Sequence, residues 1–324
     1  MKKINNAIIG AGLAGLACAN RLQAAGQSVE VFEKARGTGG RLSSRWRLNT
    51  TFDLGCQQLN ASTPEFSQAL QLWQKQGWVA SHDQQTFYGL PRMSGLTRQL
   101  SSQLTLHLST RIVGLHKKAS GWWLEDEQSQ QFGPYQQVTI STPVAQALPL
   151  IANHSAGLNQ QLAPAEHSPC WVAYFVLPKK LAVARSDKAN NAHSSYLRRW
   201  TLLNSKPAQQ ENVQRWVVEA SAEWSKKYQD LNSQQVAQKL FALWCNDAAL
   251  TIPEQPLLLE AHRWLYAFTA QSLGVAYLQD LAEGLNVCGD YCLANHLNSH
   301  LGYQAEAAWL SGDKLGQQLT KVMQ

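Results

Sequence analysis

Short apolar runs and segments of helical spacing alternate along the N-terminal part of the chain. The run Ala7-Ile8-Ile9 predicts a strand over 6–9, and a second apolar run predicts a strand over 29–33. The residues between them, 13–25, are predicted to form a helix. A strand, a helix and a second strand in this order predict a β-α-β unit with parallel strands.

The same reasoning predicts the later elements. Strands are predicted at 51–55, three times within 105–141, at 171–176 and at 285–288, and helices at 64–77, 93–104, 234–246 and about 306–322. Residues 160–270 are rich in aromatic side chains that alternate along strand-like runs, which predicts an antiparallel sheet, and 179–212 is predicted to be loop-rich. The fold is therefore predicted to be α/β: one domain built on a parallel sheet, with a second domain built on an antiparallel sheet.

The domain built on the parallel sheet is predicted to be discontinuous in the sequence. It comprises 1–60, 105–150 and 284–324, and the antiparallel-sheet domain comprises 61–104 and 151–283.

Three glycines, at positions 10, 12 and 15, follow the first strand. Gly10 allows a tight turn, Gly12 leaves space for a pyrophosphate, and Gly15 lets the helix lie close to the strand. The pyrophosphate would lie at the positive end of the helix, and Glu33, at the end of the second strand, is placed to bind ribose hydroxyls. Because all parts occur at the right spacing, the motif predicts dinucleotide binding.

A second glycine turn indicates which dinucleotide. Arg36, Gly37, Gly39, Gly40 and Arg41 follow the acid at once. Two arginines beside glycines suit a second wrap around a pyrophosphate, and the segment resembles the Arg-Gly-x-Gly-Gly-Arg element of the flavin amine-oxidase superfamily. A basic surface loop is the alternative. The pattern favours FAD over NAD. The discontinuous parallel-sheet domain is therefore predicted to be a Rossmann-like FAD-binding domain, and the antiparallel-sheet domain to be the substrate domain. No internal repeat and no second Gly-x-Gly-x-x-Gly motif is present, so a separate nicotinamide domain is not expected.

Composition and charge narrow the function classes. The chain has 324 residues, 44% of them hydrophobic, a formal net charge of +6 and a pI of about 9.0. The basic residues of segment 34–47 cluster near the second glycine turn, and the chain has no long basic stripe or known nucleic-acid module. A counter-charge for phosphates is therefore favoured over nucleic-acid binding.

Cysteine spacing and hydropathy bear on the compartment. The six cysteines form no Cys-x-x-Cys pair, which favours free thiols in a reducing compartment and no metal site. The glycines and Arg21 interrupt the start of the chain, which argues against a secretory signal, and no apolar run reaches the roughly 18 residues of a membrane span. We expect a soluble, cytoplasmic protein with no membrane partner.

Gly289 and Asp290 follow the predicted late strand and precede a helix. Such a pair brings an aspartate to the ribityl or pyrophosphate end of FAD, and the positive end of the next helix stabilises the anionic reduced flavin. An ordinary turn is the alternative.

Several segments together resemble the bacterial renalase-like group of FAD-dependent oxidoreductases within the amine-oxidase superfamily. The resemblance spans nearly the whole chain, and its most specific segments are His262-Arg263-Trp264-Leu265-Tyr266-Ala267 and Cys288-Gly289-Asp290-Tyr291-Cys292-Leu293. It implies noncovalent FAD, hydride transfer to flavin N5 and reoxidation by O2 to hydrogen peroxide. Characterised members of the group resemble oxidases of the 2- and 6-dihydro isomers of NAD(P), which would enter as substrate.

Motif and resemblance together give a set of candidate cofactor-binding residues. The set is Gly10, Gly12, Leu13, Ala14, Gly15, Glu33, Lys34, Arg36, Gly39, Gly40, Arg41, Gly55, Cys56, Gln57, Ile112, Val113, Thr142, Gly289, Asp290, Glu306 and Ala307.

The chain departs from the family pattern where substrate and flavin should meet. The family's Gly-Ala-Gln-Tyr is Gly55-Cys56-Gln57-Gln58, which loses an aromatic residue, and the flavin-facing Glu-Gly-Ala is Glu306-Ala307-Ala308. The segment 294–302 is longer than the pattern. The substrate therefore does not carry over from the family.

Three residues of one predicted strand are the candidates for chemistry. His262, as a neutral imidazole, would orient a substrate amide or take a proton, or else is a buried histidine bonded to a carbonyl. Trp264 and Tyr266, and Trp171 from another strand, would stack on a planar substrate or belong to the core.

Two further pairs of residues carry weaker signals. His296 and His300 lack a third metal ligand, so a loop over the flavin is favoured over a metal site. Arg198 and Arg199 would meet a phosphate or lie in a solvated loop.

Alternative functions remain open from the sequence alone. An amine oxidase shares the fold, and a flavin-binding protein without turnover is a third possibility; a monooxygenase would need a second nucleotide-docking pattern that the sequence lacks. The oligomeric state is not readable from the sequence.

Overall fold

The computed structural model describes residues 5–178, 190–191, 195–206, 213–248, 255–294 and 303–322. His296, His300 and most of 294–302 lie outside these ranges. The strands are β1 (Asn5–Ile9), β2 (Ser28–Glu33), β3 (Ser44–Arg47), β4 (Thr50–Asp53), β5 (Val79–Ser81), β6 (Phe87–Gly89), β7 (Thr105–Leu108), β8 (Ile112–Lys118), β9 (Gly121–Asp126), β10 (Gln131–Tyr135), β11 (Gln137–Ile140), β12 (Glu166–Pro178), β13 (Asn190–Asn191), β14 (Leu197–Leu202), β15 (Val213–Ala220), β16 (Leu258–Gln271), β17 (Leu278–Asp280) and β18 (Leu285–Val287). The α-helices are α1 (Leu13–Ala24), α2 (Pro64–Lys75), α3 (Met93–Ser101), α4 (Val144–Ile151), α5 (Ala156–Leu162), α6 (Ala222–Lys227), α7 (Ser233–Asp247), α8 (Asp290–Leu293) and α9 (Tyr303–Val322).

A six-stranded sheet forms the centre of the first unit. Its order is β17-β18-β11-β1-β2-β7, and all neighbours are parallel except β17, which runs antiparallel to β18. At the carboxyl end of β1, Ile9 is level with Ile140 of β11 and Phe32 of β2. The predicted α/β fold with a Rossmann-like domain is confirmed.

Helices α1 and α9 pack closely on one face of this sheet. A Cβ on Gly312 of α9 would lie only 1.9 Å from the carbonyl oxygen of Ala14 in α1. Helices α2 and α3 join the same core through Phe66, Leu70 and Leu96. The helices within 61–104, a segment predicted to belong to the substrate domain, therefore share the core formed by α1 and α9.

The other face is covered by α4, α5 and the antiparallel sheet β10-β9-β8, which confirms the β unit predicted over 105–141. Leu158 and Leu162 of α5 pack with Leu278 of β17 in this core. Segment 151–283 was predicted to belong to the substrate domain. Its first and last parts thus lie against the six-stranded sheet.

The second unit is the five-stranded sheet β13-β14-β15-β12-β16, in which all neighbours are antiparallel. Helices α6 and α7 cover one face, where Trp171 and Trp216 are buried. The opposite face packs on Phe52 and Leu54 at the end of β4. The antiparallel sheet is confirmed, but the predicted loop over 179–212 is wrong for Leu197–Leu202, which forms β14: it pairs with β15, and its Arg199 is buried in an ion pair with Glu219.

The structure also bears on the cysteines and on helices that could span a membrane. All six cysteines are free, and Cys18, Cys170, Cys288 and Cys292 are buried. In the described part of the chain, every helix is too short or too polar to cross a membrane.

The α1–α9 contact gives a test of packing. Gly312→Ala should lower the free energy of unfolding by about 2 kcal/mol, because the new methyl group collides with backbone rather than with a flexible side chain. Urea denaturation measures the change. Gly157→Ala in α5 is the matched control: its Cβ meets nothing within 4 Å, so stability should stay the same or rise slightly. Equal losses in both variants would contradict the close contact.

Candidate cofactor and substrate site

The three glycines after β1 serve different needs. Gly10 has φ of +107°, and a Cβ on Gly15 would lie 2.1 Å from the carbonyl oxygen of Gly10, so the fold itself requires both glycines. A Cβ on Gly12 would meet nothing within 4 Å. The surrounding structure therefore requires no glycine at this position, in contrast to Gly10 and Gly15.

The N-terminus of α1 faces this open space. Gly12 is the N-cap residue, and no side chain of the described residues caps the helix. The backbone N–H groups of the first turn, which includes the candidates Leu13 and Ala14, therefore present partial positive charge to an anion. This arrangement suits a pyrophosphate.

Glu33 is fixed at the end of β2 by two backbone donors. Ala11 N–H donates to Oε2 at 2.9 Å and Ala35 N–H donates to Oε1 at 2.8 Å. Each oxygen keeps a second lone pair for a further donor. The buried carboxylate is therefore held beside the glycine turn with unused capacity to accept hydrogen bonds from hydroxyl groups.

The remaining candidates near Glu33 lie at the same edge. Lys34 and Arg36 are exposed. Thr110 N–H donates to the Glu33 carbonyl oxygen at 2.9 Å, which brings the start of β8 close, where Ile112 is buried and Val113 is half exposed. A role for these four side chains stays a prediction.

The second glycine turn lies directly beside the first. Gly39 N–H donates to the Ala11 carbonyl oxygen at 2.9 Å, and a Cβ on Gly40 would come within 3.7 Å of the Gly12 Cα. Both glycines have positive φ, +130° and +52°. The structure thus brings the two turns together as the sequence predicted.

Two buried threonine hydroxyls lie in segments that border the paired turns. Thr38 Oγ1, in the second turn, and Thr142 Oγ1, after β11, have no hydrogen-bond partner among the described residues. Buried hydroxyl groups rarely stay unpaired, because losing water without a replacement costs about 1–3 kcal/mol. A bound polar molecule would satisfy them.

Arg41 and Asp290 form an ion pair. Arg41 Nη1 donates to Asp290 Oδ2 at 2.8 Å, and Thr269 Oγ1 donates to the same oxygen at 2.7 Å. Burial alone would raise the pKa of Asp290, but the guanidinium of Arg41 outweighs it and lowers the pKa to about 2. Arg41 Nη1 also donates to the Ala267 carbonyl oxygen at 3.2 Å. Two residues predicted to contact the cofactor separately thus meet each other, beside Gly289.

The segment after β4 is anchored to Arg41. Cys56 N–H donates to the Arg41 carbonyl oxygen at 2.8 Å, and a Cβ on Gly55 would lie 2.1 Å from that oxygen. Burial raises the pKa of the Cys56 thiol to about 11, so it stays protonated at neutral pH. The side chain of Gln57 turns toward the five-stranded sheet, where its Nε2 donates to Glu219 at 3.0 Å.

Glu306 is a structural anchor. Its fully buried carboxylate accepts hydrogen bonds from the N–H and hydroxyl groups of Ser62 and Thr63, at 2.6 to 3.0 Å. These bonds fix the start of α2 against α9. The carboxylate is therefore paired within the protein, whereas the family resemblance implied that this segment faces the flavin. The neighbouring Ala307 is buried. Contact of this segment with the cofactor stays a prediction.

The candidate residues of chemistry lie on β16, as predicted. His262 Nδ1 lies 3.5 Å from Arg45 Nη2, and its ring meets Trp264 edge-on at 4.6 Å. Burial, and then the charge of Arg45, lower the pKa of His262 to about 4, so the imidazole is neutral at pH 7. Trp264 Nε1 donates to the Leu54 carbonyl oxygen at 3.0 Å, which ties β16 to the segment before Gly55.

Tyr266 lies near His167, a residue that the sequence did not single out. The ring centre of Tyr266 is 6.0 Å from that of His167, and the ring centre of His167 is 5.6 Å from that of Tyr291. His167 Nε2 is buried and has no partner among the described residues, and burial lowers the pKa of His167 to about 4. A polar residue at the start of an apolar strand carries no distinctive sequence signal.

Trp171 has the core role, which is one of the two weighed from the sequence, and Arg198 and Arg199 lie in a strand rather than in a loop. Trp171 packs on the α6 side of the sheet, where its Nε1 donates to the Tyr228 carbonyl oxygen at 3.2 Å, so it belongs to the core. Arg199 is buried in an ion pair with Glu219, which is incompatible with a solvated loop. The guanidinium of Arg198 lies 3.3 Å above the ring centre of Phe268.

Sequence comparisons match short stretches of the chain. A family model described as an NAD(P)-binding Rossmann-like domain matches residues 8–75. A 4,4'-diapophytoene desaturase of Staphylococcus haemolyticus is 49% identical over 49 residues, which are 15% of this chain and 10% of the desaturase. The chain thus matches a tenth of the length of this relative.

Solved structures match the whole chain at low identity. A protein from Exiguobacterium sp. 255-15 named as a protoporphyrinogen oxidase has a TM-score of 0.73 at 11% identity over 100% of both chains. Cyclohexylamine oxidase from Brevibacterium oxydans has a TM-score of 0.69 at 12% identity, covering 99% of this chain and 100% of that one. A putrescine oxidase bound to putrescine has a TM-score of 0.69 at 11% identity, covering 98% and 99%. The chain therefore has the fold of these oxidases.

The ion pair at the site gives a pH-dependent prediction. Asp290→Asn should lower the free energy of unfolding at pH 7 by about 3 kcal/mol, because it leaves the Arg41 charge without its partner. The folded-state pKa of Asp290, about 2, lies below the ordinary 3.8, so the pair stabilises the fold above pH 3.8 and loses that effect as pH falls toward 2.

Urea denaturation at several pH values tests this difference. The gap between the wild type and the variant should narrow as pH falls below about 4. Glu283→Gln, which breaks the exposed ion pair with Lys117, should cost less than about 1 kcal/mol. A gap for Asp290→Asn that does not change with pH would contradict the ion-pair account.

Proposed function

We propose that the protein is a FAD-dependent oxidoreductase that takes a hydride from a reduced planar substrate, an aberrant dihydro isomer of NAD(P), and uses O2 as the final electron acceptor. Three lines of evidence support this proposal. They are the two adjoining glycine turns, the fold shared with oxidases, and the resemblance of the His262–Ala267 and Cys288–Leu293 segments to the renalase-like group.

The open space at Gly12 is the observation that carries the proposal. The fold has room for a side chain at this position, yet the residue is glycine, in front of a helix N-terminus that no side chain of the described residues caps. The unpaired hydroxyls of Thr38 and Thr142 and the spare lone pairs of Glu33 border the same region. Donors at one end and a carboxylate at the other fit a pyrophosphate and a ribose.

We assign the two glycine turns and the N-terminus of α1 to the pyrophosphate and Glu33 to a ribose. The Arg41–Asp290 pair borders the flavin side, next to β16. When bound, FAD would accept the hydride at N5, and reoxidation by O2 with one proton would give hydrogen peroxide.

The residues of β16 would position the substrate. His262 is neutral at pH 7, so it is able to donate one hydrogen bond without placing a positive charge beside a group that gives up a hydride. Trp264 is held in place by Leu54 and presents an aromatic surface next to that histidine. These two side chains, with Tyr266, are the catalytic candidates.

An amine oxidase is the second candidate. Putrescine oxidase and cyclohexylamine oxidase share the whole fold, which favours this reading. The charges of the site favour a neutral or anionic substrate, because Arg45 contacts only the Tyr174 hydroxyl and His262 among the described residues and has no carboxylate partner there. A protein that binds flavin without turnover is the third possibility.

The free cysteines fit a cytoplasmic location for each of these three candidate functions.

The test is anaerobic reduction of the flavin-loaded protein. We expect purified protein reconstituted with FAD to lose its yellow colour with borohydride-reduced NAD isomers and to keep it with a panel of primary and secondary amines. Bleaching by amines alone would replace the proposal with the second candidate. Bleaching by neither, with tightly bound FAD, would leave a binding protein, and failure to retain any flavin would overturn the proposal.

Gly12→Val separates cofactor binding from folding. The added side chain enters open space, so the melting temperature of the protein without flavin should not change. The affinity for FAD should fall by about a hundredfold or more, because the side chain occupies the place assigned to the pyrophosphate. Fluorescence titration with FAD measures the affinity, with Gly157→Ala as the control. Unchanged affinity would mean that the molecule bound by this fold does not pass Gly12.

A further inference from the structure

Three buried polar side chains meet at one oxygen on the face of the five-stranded sheet that packs on β4. Arg199 of β14 forms an ion pair with Glu219 Oε1, and Gln57 Nε2 donates to the same oxygen at 3.0 Å. Each of the three residues is at most 3% exposed. We call Gln57, Arg199 and Glu219 the polar triad.

The triad leaves three atoms unpaired. Glu219 Oε2, Gln57 Oε1 and Arg199 Nε are buried and have no hydrogen-bond partner among the described residues. Because each belongs to a head group that already contacts Glu219 Oε1, all three lie within a few ångströms of that oxygen. Two acceptors and one N–H donor are therefore held together without a partner, which is costly inside a protein. The hydroxyl of Thr201, two residues along β14, is also buried without a partner there.

The triad lies beside the proposed site. Gln57 follows Gly55 and Cys56, the segment that Arg41 anchors, and Leu54 just before it accepts the hydrogen bond of Trp264. Arg198, next to Arg199, lies over the ring of Phe268 on β16. The unpaired atoms thus occur where the sheet borders the second glycine turn.

We propose that the polar triad is a subsite for a neutral amide group of the substrate. The N–H groups of an amide would donate to Gln57 Oε1 and Glu219 Oε2, and its carbonyl oxygen would accept from Arg199 Nε. This inference rests on the proposed function, because it takes the amide-bearing molecule to be the compound that is oxidised.

Charge argues against the other common head groups. Two guanidinium groups, Arg198 and Arg199, face one carboxylate, Glu219, so the local charge is positive and repels an ammonium group. The nearby Lys206–Asp53 pair is neutral as a whole. A carboxylate ligand would place its negative oxygens against Glu219 Oε2. A neutral group that both donates and accepts avoids both penalties.

Benzamide, benzylamine and benzoate test the proposal, because they share one ring and differ in head group. Isothermal titration calorimetry with the flavin-loaded protein should show benzamide binding about tenfold more tightly than either of the others. A site that holds only a water molecule would not rank the three ligands, and equal affinities would overturn the proposal.

Variants separate recognition from a structural role. Gln57→Leu removes one acceptor and should weaken benzamide about tenfold while leaving benzylamine unchanged. Glu219→Gln should weaken benzamide and tighten benzoate, because the charge of Arg199 is then unopposed. If Glu219→Gln does not fold, Gln57→Leu alone decides. A uniform loss for all three ligands would mean that the triad only supports the fold.

The control is Trp244→Phe. Trp244 Nε1 is also buried without a partner among the described residues, but it lies on the opposite, α7 side of the same sheet. Its loss should leave the ranking unchanged, and a change of the ranking by this variant would contradict the subsite. Visible flavin absorbance of each preparation separates the two proposals. Colourless protein overturns the proposed function, and yellow protein without head-group preference overturns only the subsite.

Discussion

Three ion pairs, each with a buried carboxylate, fix the chain segments around the candidate site. Arg41–Asp290 links the second glycine turn to α8, Lys206–Asp53 links the segment after β14 to the end of β4, and Arg199–Glu219 links β14 to β15 within the five-stranded sheet. Charges removed from water must be paired, and breaking such a pair is far more costly than losing an exposed one. Each pair therefore restricts where its two chain segments are able to lie.

Pairing also determines which polar groups remain for a ligand. The charge of Arg41 is paired with that of Asp290, so Arg41 is less available to a phosphate than the sequence suggests. The helix N-terminus at Gly12 then becomes the main source of positive potential for a pyrophosphate. Glu306 is likewise committed to Ser62 and Thr63. Thr38, Thr142 and the polar triad keep buried polar atoms without a partner among the described residues, and these are the atoms that we assign to bound molecules.

Local patterns predicted the β1-α1-β2 unit, the strands over 105–141 and the final helix, because apolar period and glycine position act within a few residues. They failed for β14, where Arg199 looks solvated until Glu219, twenty residues away, supplies a partner. The sequence also does not determine where α2 and α3 pack, because an amphipathic helix shows that it has an apolar face but not which core receives it. Gly12 and Glu33 could be singled out from the sequence because adjacent backbone sets their positions, whereas His167 and the triad are defined only by long-range contacts.

The fold and the charges of the site lead to different expectations about the substrate. Shared architecture with putrescine and cyclohexylamine oxidases speaks for a cationic amine, but a fold supports many chemistries and the site selects among them. Two arginines border the region around His262 and Trp264 without a carboxylate of their own among the described residues: Arg45 beside the Tyr174 hydroxyl, and Arg198 over Phe268. The carboxylates that are present, Glu260 and Glu219, are already paired with Arg47 and Arg199. A cation entering this region would meet unopposed positive charge, so the electrostatics favour a neutral ring that carries an amide over an ammonium group.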